Sequence, residues 1–98
     1  MSKVVHHPEA EEEFEAAQLW YFASSRRAAV RFTAAVDQVV EQFRVQLDRY
    51  PLDDSEFREA GLTDYPYSVI YRALPSGDVQ VIAVAHASRV PGYWRDRA

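Results

Sequence analysis

YSVIYRALPSGDVQVIAVAH, residues 67–86, carries two apolar runs around a polar turn, and its reading decides how the rest of the chain must fold. Tyr67 to Ala73 is rich in aromatic and β-branched side chains, and Pro75-Ser76-Gly77-Asp78 has the residues of a tight turn. Val79 to Ala85 then resumes an extended apolar pattern, so the segment reads as an antiparallel hairpin. In the second strand Val81, Ile82, Ala83 and Val84 place apolar groups on both faces, which suits a central strand covered on two sides. The flanking sequence has to supply that cover.

Working backwards, Tyr65-Pro66 favours an extended entry into the hairpin, and Glu56 to Ala60 reads as a short strand closed by a turn at Gly61. Ala29, Phe32, Val36, Val39, Val40, Phe43 and Leu47 recur at helical spacing and predict a long amphipathic helix over residues 26–49, ended by Tyr50-Pro51. An earlier stripe of Ala10, Phe14, Ala17 and Tyr21, with Trp20 beside it, predicts a first helix entered at Pro8, with His7 at the cap position. Ser24 and Ser25 end that helix and cap the next. Lys3 to His6 suits an opening strand. The order βααβββ predicts an α+β domain: an N-terminal strand and an antiparallel helical hairpin packed on one face of a mainly antiparallel sheet of three to four strands. Arg44 and Arg49 are expected beside the acidic start of the first helix, and Arg26 and Arg27 near its C-terminal end.

Ninety-eight residues, 48% of them hydrophobic, suit a single domain spanning residues 1–98 with a core that needs no cross-links. The absence of cysteine excludes disulfides, thiol catalysis and thiolate metal sites. Neither a signal-peptide pattern nor a membrane-spanning run is present, so a cytoplasmic protein with no membrane partner is expected. A formal charge of −4 gives no general attraction for nucleic acid. The glutamates at 9, 11, 12, 13 and 15 read as a solvated helix face, and neither they nor His6 and His7 have the spacing of a metal site, so no metal or cofactor is expected.

The last strand runs into VAHASRVPGYW, residues 84–94, where His86 and Arg89 would need partners if they served packing alone. Together with Trp20-Tyr21, Ala29 and Phe32 on the helices, Arg58, and the strand Tyr65-Pro66-Tyr67-Ser68-Val69-Ile70-Tyr71-Arg72, the pattern His86-x-x-Arg89-x-Pro91-Gly92-Tyr93-Trp94 resembles the RelE/ParE superfamily of toxins from bacterial type II toxin–antitoxin, or plasmid stabilisation, systems. The resemblance covers nearly the whole chain. It implies a growth-inhibiting toxin neutralised by a cognate antitoxin that wraps it, with operator DNA reached only through that antitoxin. It leaves the target open between messenger RNA on the ribosome, cut by RelE-like members, and DNA gyrase, inhibited by ParE-like members.

A metal-independent endoribonuclease needs a base for the 2′-hydroxyl, an acid for the departing 5′-oxygen and cations around the phosphorane-like transition state. His86 can supply the base or acid, Arg58, Arg72 and Arg89 can hold the phosphate, and Tyr93 or Trp94 can stack on a base. Each has a structural alternative: for His86 a hydrogen bond to main chain or tyrosine, for Arg58 and Arg72 ion pairs with Glu56, Glu59 or Asp78, and for Tyr93 and Trp94 a cover over the edge of the sheet. The acidic balance, with Lys3 the only lysine, favours the alternative of a non-enzymatic gyrase inhibitor, and a detoxified antitoxin-binding module is a third reading. Leu19 and Phe22 fall off the main stripe of the first helix and are expected in an antitoxin groove.

Overall fold

The hairpin of residues 67–86 forms the middle of the molecule and every other element is laid against it. The computed structural model describes residues 2–53 and 55–97. Its elements are β1 (Val4–His6), α1 (Pro8–Ser24), α2 (Arg26–Val45), a 3-10 turn at Leu47–Arg49, β2 (Arg58–Gly61), β3 (Tyr67–Ala73), β4 (Val79–His86) and a 3-10 turn at Arg95–Arg97. The sheet order is β1-β4-β3-β2, with β1 parallel to β4 and the other pairs antiparallel, as the α+β reading requires.

Strand β4 is covered on both faces, as its sequence demands. On one side Val69, Tyr71, Val79 and Val81 meet Ala10, Ala17, Phe32, Val36 and Phe43 of the helices. The Tyr71 ring stacks on Phe43 at 3.8 Å and 9°, and its hydroxyl donates to the Leu47 carbonyl at 2.8 Å. On the other side Ile70, Ile82 and Ala83 pack with Phe57 and Trp94, so a second, smaller core lies under the C-terminal segment. A bulge makes this possible. Ile70 pairs with Ala83 but Tyr71 pairs with Val81, which leaves Ile82 without a partner and sends both Ile82 and Ala83 to the second core.

Three expectations need correction. The second helix stops at Val45 rather than 49, and Gln46 is extended at φ −131°, ψ 95°. Tertiary bonds win over the final turn: Tyr71 takes the Leu47 carbonyl, Arg58 takes the Tyr50 carbonyl at 2.8 Å, and the Tyr50 hydroxyl reaches back to Gln42 at 2.7 Å. The strand expected at 56–60 runs from Arg58 to Gly61, because Asp53 Oδ1 accepts the Ser55 and Phe57 amides and holds that stretch in a turn. Arg44 pairs with Glu41 of its own helix, and the acidic start of α1 is met instead by Arg97. The caps fall where the sequence puts them: His7 Nδ1 accepts the Glu9 amide at 3.1 Å, and Ser25 Oγ accepts the Ala28 amide at 3.0 Å.

β1 is too short to flank all of β4. It is in register only as far as His6 with Val81, where the His7 amide donates to the Val81 carbonyl at 2.9 Å. Beyond that point side chains take the ladder positions. The Val84 amide donates to Glu13 Oε1 at 3.0 Å, and Arg97 donates to the Ile82 carbonyl at 3.1 Å. Buried backbone groups require such partners, and here they come from α1 and from the C-terminal segment.

Candidate functional site

The C-terminal half of β4, the first helix and the segment after His86 enclose a hollow of about 460 Å³ whose walls include Glu13, Trp20, Tyr67, His86, Arg89 and Tyr93. His86 ends β4 opposite Tyr67, and the two rings meet edge to face at 4.9 Å and 89°. Its Nδ1 accepts the Ser88 amide at 2.9 Å. That bond assigns the tautomer: a neutral ring whose Nδ1 lone pair is engaged carries its proton on Nε2, so the nitrogen left free is a donor.

Glu13 lies at the centre of the polar contacts. Its carboxylate accepts from the Tyr93 hydroxyl at 2.6 Å, from both Arg97 terminal nitrogens at 2.9 and 3.0 Å and from the Val84 amide, and Arg89 stands 3.9 Å away. Burial pushes the carboxyl up, but the bonds from Arg97, Tyr93 and Val84, together with the charge on Arg97, outweigh burial and hold it below the usual carboxylate range. Burial, reinforced by the bond to Glu13, drives the Tyr93 phenol up to about 12. The Arg89 guanidinium lies 3.8 Å from the centroid of the Tyr93 ring and that of Arg97 lies 5.0 Å away, both within cation–π range. Arg97 also pairs with Glu9 at 2.7 Å, and its pKa is raised, first by the hydrogen bonds to Glu13.

His86, Arg89 and Tyr93 are thus brought together in this hollow, whereas Arg58 and Arg72 do not line it. Arg58 lies opposite Tyr71 and Arg72 opposite Gln80, at the far end of the hairpin from His86. Tyr67 and Arg72 are five residues apart, about 16 Å along a strand. Arg58 donates to the Tyr50 carbonyl, and Arg72 donates to Gln80 at 2.9 Å and pairs with Glu56. Trp94 is buried edge-on to Phe57 at 4.8 Å, covering the second face of the sheet rather than its edge. A second hollow, of about 570 Å³, opens on that face, and its walls include Arg58, His86, Arg89, Tyr93 and Trp94, so it gathers every residue considered for chemistry except Arg72.

Glu13 and Arg97 were not singled out by sequence reasoning, although one signal was available. Glu13 is three residues after Ala10 and four before Ala17, on the stripe that α1 buries, so it could not belong to the solvated face that holds Glu11 and Glu12. A carboxylate there needs a buried cation. Arg97 carried no such mark, because its place depends on how the chain turns at Gly92. Leu19 and Phe22 are 61% and 58% exposed, and Trp20 is 69% exposed. Among the described residues no cluster of His, Asp or Glu is placed to hold a metal ion, and no helix is long and apolar enough to cross a membrane.

The sequence model of a family described as ParE toxin of type II toxin-antitoxin system, parDE, matches residues 4–91, nearly the whole chain. A search of curated proteins finds no match.

Proposed function

The chain belongs to the ParE toxin family of type II toxin–antitoxin systems, and from that premise we propose that it arrests growth by binding its target without cutting it, that the target is DNA gyrase, and that a cognate antitoxin neutralises it. The observation that supports binding over cleavage is the state of His86. With Nδ1 accepting the Ser88 amide, the ring carries its proton on Nε2, so His86 is not placed as the base for a 2′-hydroxyl, and only the acid role at a 5′-oxygen stays open to it. The cations tell the same way: Arg58 is engaged by the Tyr50 carbonyl and Arg72 by Glu56, and Glu13 puts a carboxylate beside Arg89 and Arg97, where a phosphate would have to sit. In this reading the exposed groups of the hollow, Arg89 and Trp20 foremost, are contact residues.

One observation favours the endoribonuclease reading: Arg58, His86, Arg89, Tyr93 and Trp94 line one open hollow. Two assays separate the two readings. Purified toxin added to gyrase and relaxed plasmid should block supercoiling, His86→Ala should block it equally well, and messenger RNA on translating ribosomes should stay intact. Cleaved message that His86→Ala or Arg89→Ala leaves uncut, with supercoiling unaffected, would establish the nuclease instead.

A further inference from the structure

The helical hairpin carries a third concavity on the side turned away from the sheet, unconnected with the hollow around His86. It measures about 490 Å³ and is lined by Leu19 and Phe22 of α1 and by Ala29, Val30 and Ala34 of α2. Leu19, Phe22 and Val30 are each close to 60% exposed, so three large apolar side chains share one face. Its floor is fixed by Gln18, which donates to the Thr33 hydroxyl at 2.9 Å across the two helices. Contiguous apolar surface of this kind on a small chain marks a contact region.

The charges around it identify the occupant. Arg26 stands at one end of the groove and Asp37 at the other, both exposed and neither in an ion pair among the described residues. They are eleven residues apart on α2, close to three full turns, so they project from the same side of the helix about 16 Å apart. Turning a second α2 antiparallel about a twofold axis near Val30 and Thr33 sets Arg26 of each copy against the partner's Asp37. The apolar residues then meet between the two ion pairs. One patch with a cation at one end and an anion at the other is self-complementary in this way, the condition for an isologous interface. Ala29, Thr33 and Ala34 are small enough for the helices to approach closely.

We propose that the α1–α2 face is a homodimer interface, in which the apolar groove of Leu19, Phe22 and Val30 packs against its own image and Arg26 pairs with the partner's Asp37 on each side. The patch is smaller than the roughly 800 Å² per partner of a standard interface, so association is expected in the micromolar range. Sedimentation velocity on the purified full-length toxin, across a concentration series up to millimolar, reads this directly. The wild type should pass reversibly from monomer to dimer. Arg26→Asp and Asp37→Arg should each weaken dimerisation at least about tenfold, because each sets like charges together at both ends. An equimolar mixture of the two variants should dimerise as well as wild type, since the carboxylates at positions 26 and 37 of one chain then meet the guanidinium groups at positions 37 and 26 of the other. Circular dichroism and melting curves establish that each variant is folded. A wild type that stays monomeric throughout, or a mixture that associates no better than its components, overturns the proposal. So does a Val30→Glu variant that dimerises normally and instead loses affinity for the antitoxin, which would make the antitoxin the occupant.

Discussion

Replacing Glu13 with alanine removes a group that ties α1, β4 and the C-terminal segment together. The side chain is 16% exposed and that of Arg97 is 10% exposed, so both charges are largely withdrawn from water. Without the carboxylate, the Val84 amide and the Tyr93 hydroxyl lose their acceptor, and Arg97 keeps only the exposed Glu9 and the Ile82 carbonyl. Breaking a fully buried ion pair costs about 3–5 kcal/mol, and the retained contact to Glu9 reduces this to about 2–4 kcal/mol. For a domain of this size each kcal/mol moves the melting temperature by about 4–8 °C, so Glu13→Ala should melt roughly 8–32 °C below wild type. The pH dependence has a definite sign. Glu13 titrates lower in the folded protein than at its ordinary value near 4.5, so its contribution is complete above that value and is lost as the pH falls through the folded pKa. Tyr93 is raised from 10.0 to about 12, so its contribution is complete below the lower value and is lost as the pH rises through the upper one. Urea titrations from pH 3 to pH 7 should therefore show the stability gap between wild type and Glu13→Ala narrowing towards the acid end. The phenolate absorbance of the variant should show Tyr93 titrating closer to the ordinary tyrosine value. A variant that melts with wild type at neutral pH would refute the view that this carboxylate clamps the tail.

Two further substitutions probe the neighbouring structure. Gly92→Ala places a Cβ 2.9 Å from Arg95 Nε at a backbone φ of +80°; it should cost about 1–2 kcal/mol from the left-handed backbone alone, measured by urea unfolding, and loosen the segment that carries Tyr93 and Arg97. Tyr71→Phe keeps the stack on Phe43 but leaves the Leu47 carbonyl without its donor; a loss of about 1–2 kcal/mol with an unchanged far-ultraviolet circular dichroism spectrum is expected.

The sheet, the helical hairpin and both helix caps were legible because each is written locally, in a period of two, in a period near 3.6, or in a His, Ser or Pro at a boundary. The two-sided character of β4 was legible too, since Val81 to Val84 offer no polar face. What covers the second side was not, because Phe57 and Trp94 meet only through contacts between distant parts of the chain. The end of α2 was misplaced for a related reason: the periodicity continues to Leu47, and only the distant Tyr71 and Arg58 draw the chain out of the helix. Which of the six residues considered for chemistry come together depends on hairpin register, which sequence alone does not determine: a residue at one end of a strand can be far from a neighbour at the other. His86, Arg89 and Tyr93 cluster at one end and share the larger hollow with Arg58 and Trp94, while Arg72 lines neither hollow.

The stub of β1 has a consequence for how this chain behaves in a crowded solution. A bare strand edge recruits other strands, and globular proteins blunt such edges with charge or with covering elements. Here the outer rim of β4 is plugged by a carboxylate and a guanidinium. The plug satisfies the backbone while offering an incoming strand nothing to continue. Its removal would make β4 a template for aggregation, so Glu13 and Arg97 protect solubility as well as shape.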